Sequence, residues 1–203
     1  MTVTTDGEEA LFAYVRFAGE RGWGEDVLNH AAANLGTTEF DVRRAIGHTP
    51  ELRQRFFFRW LQEEMARRVG RISDFDRLPV REKIRAAVLE WINAAESCKG
   101  GKKAVRRVVV AHMARGRIAS ATLRQWGIAD AVWRLCGDRA TDFNHYSKRA
   151  ILSAVLAATI IYWLNDASLE HANTNRFLDK RIADALVVGG ALGRALARLA
   201  QKR

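Results

Sequence analysis

Apolar residues return every three or four positions in one segment after another, the spacing that gathers them on one side of an α-helix. Over residues 8–22, Leu11, Phe12, Val15 and Ala18 form such a stripe, and Gly22 suits a left-handed helix end. A second helix is predicted over 25–35. Gly36, Thr37 and Thr38 then turn the chain into a short third helix over 39–46. Thr49 as N-cap, Pro50 at the first helical position and Glu51 in the first turn open a fourth helix, with Leu52, Phe56, Trp60 and Leu61 on its core face as far as Val69.

Residues 71–79 read as a linker, and helical spacing resumes over 80–95 with Ile84, Val88, Leu89, Trp91 and Ile92. The stretch from Cys98 through Gly100 and Gly101 to Lys103 breaks it. Further helices are predicted over 104–115, 120–135, 146–164 and from Ser168 to the C-terminus, the last interrupted or bent at Gly189, Gly190 and Gly193. That makes about nine helices, no repeat and an all-α fold.

The most apolar run, 150–164, falls short of the roughly 18–20 residues of a membrane span and reads as a fully buried core helix. Its Ile151, Leu152, Val155, Leu156, Ile160, Ile161, Tyr162, Trp163 and Leu164 point to every side. One packing face does not need so much apolar surface, so part of it meets another helix, a second subunit or a ligand.

Composition narrows the class. The 203 residues, 48% of them hydrophobic, suffice for one domain with a proper core, and two prolines with 28% charged residues exclude collagen-like and disordered chains. The two cysteines, Cys98 and Cys136, form no CxxC pair, so neither a disulfide framework nor a structural zinc site is expected. The opening residues carry Asp6, Glu8 and Glu9 and lack the basic, apolar pattern of a signal or transit peptide. A cytoplasmic protein is expected.

The formal charge of +10 points to an anionic partner, and its placement is uneven. Between Ser97 and Ala129 there is no acid, while Lys99, Lys102, Lys103, Arg106, Arg107, Arg115, Arg117 and Arg124 supply eight cations. A solvated helix face is the plain alternative. Near the end, Leu192, Leu196 and Leu199 lie along one side of the helix and Arg194, Arg198 and Lys202 along the other, a basic amphipathic pattern suited to an acidic membrane surface.

Catalytic constellations are sparse. Among His30, His48, His112, His145 and His171, the pair considered for a ligand role is Asp142 and His145, three residues apart, and it reads more simply as a helix cap and a surface imidazole. There is no Glu-x-x-His pair, Gly-rich phosphate loop, nucleophile elbow or HExxH. Neither an enzyme nor a metal or cofactor is expected.

The first seventy residues resemble the N-terminal domain of the tetracycline-repressor family through Gly22-Trp23, Ala31-Ala32, Leu35-Gly36 and Pro50-Glu51-Leu52. The resemblance implies a helix-turn-helix whose third helix would enter the DNA major groove, with Arg43 and Arg44 as base-reading candidates. Glu39 and Asp41 place negative charge where phosphates would pass, and the end of that helix, Ile46-Gly47-His48, offers no aromatic to hold the backbone. A helix-turn-helix kept as architecture fits better. DNA is not the expected partner.

A second resemblance is carried by Thr141-Asp142-Phe143-Asn144-His145-Tyr146 followed by Arg149, with Ala129-Asp130-Ala131-Val132-Trp133 before it and Asn165-Asp166-Ala167-Ser168 and Phe177-Leu178-Asp179-Lys180-Arg181-Ile182 after it. These pieces resemble the Coq-nine family, helical accessory proteins of ubiquinone biosynthesis with a repressor-like fold. The resemblance implies an isoprenoid or quinone-like lipid, or a phospholipid, held in an apolar pocket of the C-terminal helices, for which Trp133, Leu156, Ile160, Trp163 and Leu164 are the candidates. It also implies docking to a ubiquinone-pathway hydroxylase through Asp142, Asn144, His145, Tyr146 and Arg149, and membrane contact through Leu192, Arg194, Leu196, Arg198, Leu199 and Lys202. His145 stands where eukaryotic members carry Trp.

The expected organisation is a helix-turn-helix region over 1–70, a lipid-binding and docking body over 71–185 and a basic amphipathic helix over 186–203, in a homodimer peripheral to the inner face of the membrane. The expected function is presentation of an isoprenoid quinone precursor to a hydroxylase. The alternative is a ligand-responsive transcriptional regulator of the tetracycline-repressor type.

Overall fold

The computed structural model describes the backbone of residues 5–114, 118–138 and 143–200, and the side chains of 6–114, 126–138 and 145–189. Among these residues there are nine α-helices and no strand: α1 (Thr5–Arg21), α2 (Asp26–Leu35), α3 (Glu39–Ile46), α4 (Pro50–Val69), α5 (Val80–Ser97), α6 (Gly101–Ala114), α7 (Ile118–Leu135), α8 (Phe143–Asn165) and α9 (Ala172–Ala200). Short 3₁₀ turns stand at Phe75–Arg77 and Leu169–His171. The all-α expectation holds.

The chain forms two compact units, Met1–Ile72 with Glu90–Ile118, and Ser73–Leu89 with Ala119–Arg203. In the first unit Glu90–Ile118 joins the N-terminal helices.

In the first unit α1 buries Leu11, Tyr14, Val15 and Ala18, while Phe12 stays 38% exposed and meets Trp60 edge-on at 5.0 Å. The α2–α3 turn is built by Gly36, which takes a left-handed conformation (φ 64°) that lets the Thr37 N–H reach the Ala32 carbonyl. Thr38 then caps α3 by accepting from the Asp41 N–H at 3.2 Å.

The buried face of α4 keeps Trp60 and Leu61, as expected, and differs in its first two turns. Leu52 is exposed and Arg53, Phe57, Trp60, Leu61 and Met65 point inward. At the start of the helix Arg53 is drawn in by Glu25 and by the Gly47 carbonyl, and Phe57 takes the inward place expected of Phe56. The Thr49 cap and Pro50 start are as predicted, with the Leu52 N–H donating to Thr49 Oγ1 at 3.3 Å.

Close approach of α6 to α1 depends on glycine. A Cβ on Gly19 would lie 2.8 Å from the Gly100 carbonyl oxygen and from Lys103 Cβ, and Gly100, at φ +86°, leaves its own missing Cβ 3.0 Å from the Val15 and Arg16 carbonyls. The glycines that read as a helix break thus also set a helix contact.

In the second unit α8 packs against α9, with Leu152, Leu156, Ile160, Trp163 and Leu164 of α8 and Leu178 and Ile182 of α9 buried. Arg85 Nε donates to Asp179 Oδ1 at 2.7 Å and ties the start of α5 to α9. Two expectations about these helices are corrected. By length and composition His145–Asn165 of α8 suffices to cross a membrane, with 21 residues and a mean hydropathy of 1.3, and only half of it is buried. It is therefore a half-buried helix, with Ile161 and Tyr162 outward, and not the fully buried one expected.

The last helix starts at Ala172, not Ser168, and runs unbroken past Gly189, Gly190 and Gly193. Each interior glycine costs about 1 kcal/mol of helix propensity, and the Ala, Leu and Arg residues around them are strong enough helix formers to carry the helix through.

Candidate functional site

The signature segment is organised by one buried arginine. Arg149 of α8 is 2% exposed; its Nε donates to Asp130 Oδ1 of α7 at 2.7 Å, and its Nη1 donates to Asp138 Oδ2 at 3.1 Å and to the His145 carbonyl at 3.2 Å. Lys148 Nζ reaches the other oxygen of Asp138 at 2.8 Å, and Arg134 pairs with Asp130 Oδ2 at 2.7 Å. Burial alone would raise the Asp138 carboxyl pKa; the hydrogen bonds from Lys148 and Arg149 outweigh it and hold the group below the usual carboxylate range.

This network gives Arg149 a role inside the chain. Its guanidinium is consumed inside the chain, joining α7, the turn after it and the first turns of α8. A buried, multiply bonded guanidinium is a staple between the elements it joins.

Tyr146 faces the other way. It is 61% exposed, with its ring 5.1 Å from that of His145 and 6.2 Å from that of Trp126. Arg149 thus fixes the turn of helix from which an aromatic face is displayed. Trp126 belongs to this face and was missed by sequence reasoning, although a tryptophan followed by Gly127 was there to be read. Asp142 lies outside the described residues, and so does the side chain of Asn144.

The five lipid candidates are distributed differently from expectation. Leu156, Ile160, Trp163 and Leu164 are buried in helix packing, and Trp133 is half-buried with its Nε1 donating to the Lys148 carbonyl at 3.2 Å and the Lys148 ammonium 5.3 Å from its ring centroid. None of the five lines the open cleft of about 710 Å³ formed by α8, the turn after it and the start of α9. Its walls are Ala158, Ile161, Tyr162 and Asn165 of α8, residues 166–168 of the turn, and Asn173 and Phe177 of α9.

The cleft has two chemically different ends. Tyr162 and Phe177 stack with centroids 4.4 Å apart and planes 10° from parallel, and the Arg181 guanidinium lies 5.3 Å from the Phe177 centroid. At the other end Asp166 accepts from the Ser168 N–H at 2.9 Å, the Thr174 N–H at 2.9 Å and the Thr174 hydroxyl at 2.6 Å. The Thr174 hydroxyl and these amides hold the Asp166 carboxyl far below the usual carboxylate range. An aromatic wall beside a polar turn suits an amphipathic ligand. Ile161 and Tyr162 were legible only as surplus apolar residues, because helical periodicity does not say which side α9 would cover.

Other features bear on the expectations. In the helix-turn-helix, Arg43 pairs with Glu25 at 2.8 Å and Glu39 at 3.6 Å, and the more exposed Arg44 with Asp41 at 3.6 Å. Glu25 also binds the buried Arg53, and Arg53 and Arg43 together lower its pKa. Both thiols are pushed up by burial, Cys98 to about 12 and Cys136 to about 11, which leaves them protonated at neutral pH. Leu192, Arg194, Leu196, Arg198 and Leu199 stand on the helical backbone of α9, their side chains outside the described set, as is Lys202 altogether. Just before them Leu186, Val187 and Val188 are exposed.

Comparison with known proteins places these elements. Residues 118–189 match the family model described as COQ9, a stretch that spans α7, α8 and α9 as far as Gly189. The chain is 40% identical over 62 residues to the ubiquinone biosynthesis protein COQ9, mitochondrial, of Rattus norvegicus, and 39% identical over 62 residues to that of Homo sapiens. It is 39% identical over 59 residues to the probable ubiquinone biosynthesis protein coq9, mitochondrial, of Dictyostelium discoideum. These matches cover 29–30% of this chain and 19–20% of the relatives, so the chain matches about a fifth of their length. Among solved structures, the TetR transcriptional regulator from Nitrosomonas europaea ATCC 19718 superposes with a TM-score of 0.70 at 19% identity, covering 89% of this chain and 97% of that one. The fold is tetracycline-repressor-like, and residues 118–189 are similar to the COQ9 family.

Proposed function

We propose that this chain is an accessory lipid-binding protein of ubiquinone biosynthesis that presents an isoprenoid quinone precursor to a hydroxylase at the membrane. The observation that carries this is the COQ9 match over residues 118–189, because it falls on the segment where the Arg149 staple, the Tyr146 face and the α8–α9 cleft are built. The relatives are named as ubiquinone biosynthesis proteins and as mitochondrial.

In mechanism no residue of the chain performs covalent chemistry. The aromatic wall of Tyr162 and Phe177 replaces bilayer contacts for a ring or isoprenoid unit, and the polar turn at 166–168 receives its polar end. Handover then requires that hydroxylase docking at the His145–Tyr146–Trp126 face lower the affinity of the cleft for the lipid. Membrane contact would come from the basic amphipathic end of α9, and the exposed Leu186, Val187 and Val188 support either that contact or a second subunit of a homodimer.

The test is mass spectrometry of the organic extract of protein purified from its own host without detergent, with Tyr162→Ala and Phe177→Ala as comparison. A bound isoprenoid or quinone species that is lost in both variants supports the proposal.

The second reading, a ligand-responsive transcriptional regulator, draws on the repressor-like fold. The pairing of Arg43 with Glu25 and Glu39 weighs against it, because base reading needs that guanidinium free to reach the groove.

A further inference from the structure

The acid-free segment after Ser97 becomes α6, and α6 is two-faced. Gly101, Ala104, Val105 and Val108 are buried in the first unit. Lys103, Arg106, Arg107, Val110 and Met113 lie on the opposite arc, all exposed. Val110 is 56% and Met113 62% exposed, so two large apolar side chains stand in water on the same stripe as three cations.

Cations outnumber acids along this stretch of chain, which carries no Asp or Glu between Ser97 and Ala129. Glu20 approaches Lys103 at 3.6 Å and Glu96 approaches Lys102 at 3.7 Å, set against five cations, Lys99, Lys102, Lys103, Arg106 and Arg107. The Lys103–Glu20 pair is exposed at both ends, and such pairs are worth little and are screened by salt. Arg107 also donates to the Glu20 carbonyl and so stays anchored at the rim of the arc.

We propose that this face of α6 is a docking surface for an anionic lipid bilayer, independent of the C-terminal end of α9. Charge complementarity selects the occupant. Cations that ring exposed apolar side chains match a surface with acidic headgroups above acyl chains, where Val110 and Met113 enter the apolar boundary and the basic side chains stay at headgroup level. Nucleic acid offers phosphates for the cations but no apolar layer for Val110 and Met113 in its backbone.

The experiment measures co-sedimentation of the full chain with phosphatidylcholine vesicles, with and without about one-third phosphatidylglycerol, at low and high salt. The wild type is expected to bind the anionic vesicles and to be released by salt. Val110→Asp/Met113→Asp and Lys103→Glu/Arg106→Glu are each expected to weaken that binding about tenfold, while Leu196→Glu/Leu199→Glu, on α9, leaves the α6-dependent part in place. Because all four α6 positions are exposed, these variants keep the fold, which thermal melting checks. Met113→Cys carrying a polarity-sensitive fluorophore gives a second readout: a blue shift on anionic vesicles is expected. Unchanged partitioning of both α6 variants, or no blue shift, overturns the proposal. Loss of duplex-DNA binding in Lys103→Glu/Arg106→Glu with vesicle binding intact overturns it in favour of nucleic acid. If binding vanishes only in the α9 variant, the α6 surface fails while the α9 contact stands.

Discussion

Arg149 and Asp130 meet at 2.7 Å between α8 and α7, with the arginine almost wholly removed from solvent. Asp138 completes the bridge from the turn after α7. The consequence is a division of labour between neighbours: Arg149 holds the signature segment together and Tyr146, three residues earlier, is left to face outward.

Replacing Arg149 should therefore cost stability. Arg149→Met leaves Asp138 buried with one cation fewer and is expected to destabilise the chain by about 3 kcal/mol, read from urea unfolding. Tyr146→Ala, at an exposed position, should change stability by less than about 0.5 kcal/mol. If docking uses this face, that variant loses hydroxylase association while remaining folded. Equal stability of the two variants would remove the staple.

Asp166 ties the turn after α8 to the start of α9. Asp166→Ala is expected to cost about 1–2 kcal/mol, since the Ser168 and Thr174 donors lose their acceptor. The native carboxyl titrates below its unfolded value of about 3.9, so its contribution is full above that pH and falls away as the pH drops toward the folded value. The stability gap between wild type and variant should be constant from about pH 5 to 7 and narrow below about pH 4.

Tyr14 gives a complementary alkaline signature. Burial, partly offset by the adjacent Arg53, raises its phenol to about 12, and its hydroxyl donates to the Gly24 carbonyl at 2.9 Å. Of the three tyrosines, this one should remain unionised in an ultraviolet titration when an ordinary phenol, near about 10, has ionised. The unfolded chain loses that proton first, so stability is complete below about pH 10 and declines as the pH rises toward about 12.

The glycines separate two kinds of constraint. A Cβ at Gly101 would fall on the Ala95 carbonyl oxygen, well inside contact distance, so Gly101→Ala should destabilise by about 2 kcal/mol or more. Gly70, with ordinary helical angles and neighbours at 3.5 Å, should accept alanine with little change. Thermal melts of the two variants compare them directly.

Much of the fold was legible because its boundaries are chemical. Thr49, Pro50, Gly36 and Thr38 mark helix ends through their own backbone preferences, and they stand where the sequence puts them. What was not legible depends on partners distant in the chain. Glu25 and Gly47 turn Arg53 inward, Asp130 and Asp138 claim Arg149, and Leu156 and Ile160 of α8 are buried while Ile161 and Tyr162 line the cleft with Phe177 of α9. Periodicity identifies an apolar residue, but a neighbour decides whether it packs or lines a site. The start of α9 differs for a related reason: Glu170 and His171 take left-handed conformations before it, and Asp166 accepts from the Thr174 N–H in its first turn, which no local propensity announces.

Lipid of the ubiquinone pathway in the α8–α9 cleft, as proposed above, is read from the organic extract of the natively purified protein. Near-stoichiometric isoprenoid or quinone species, absent from Tyr162→Ala and Phe177→Ala, are the expected result. An extract without such species, or one carrying them equally in both variants, would contradict the assignment of lipid to this cleft.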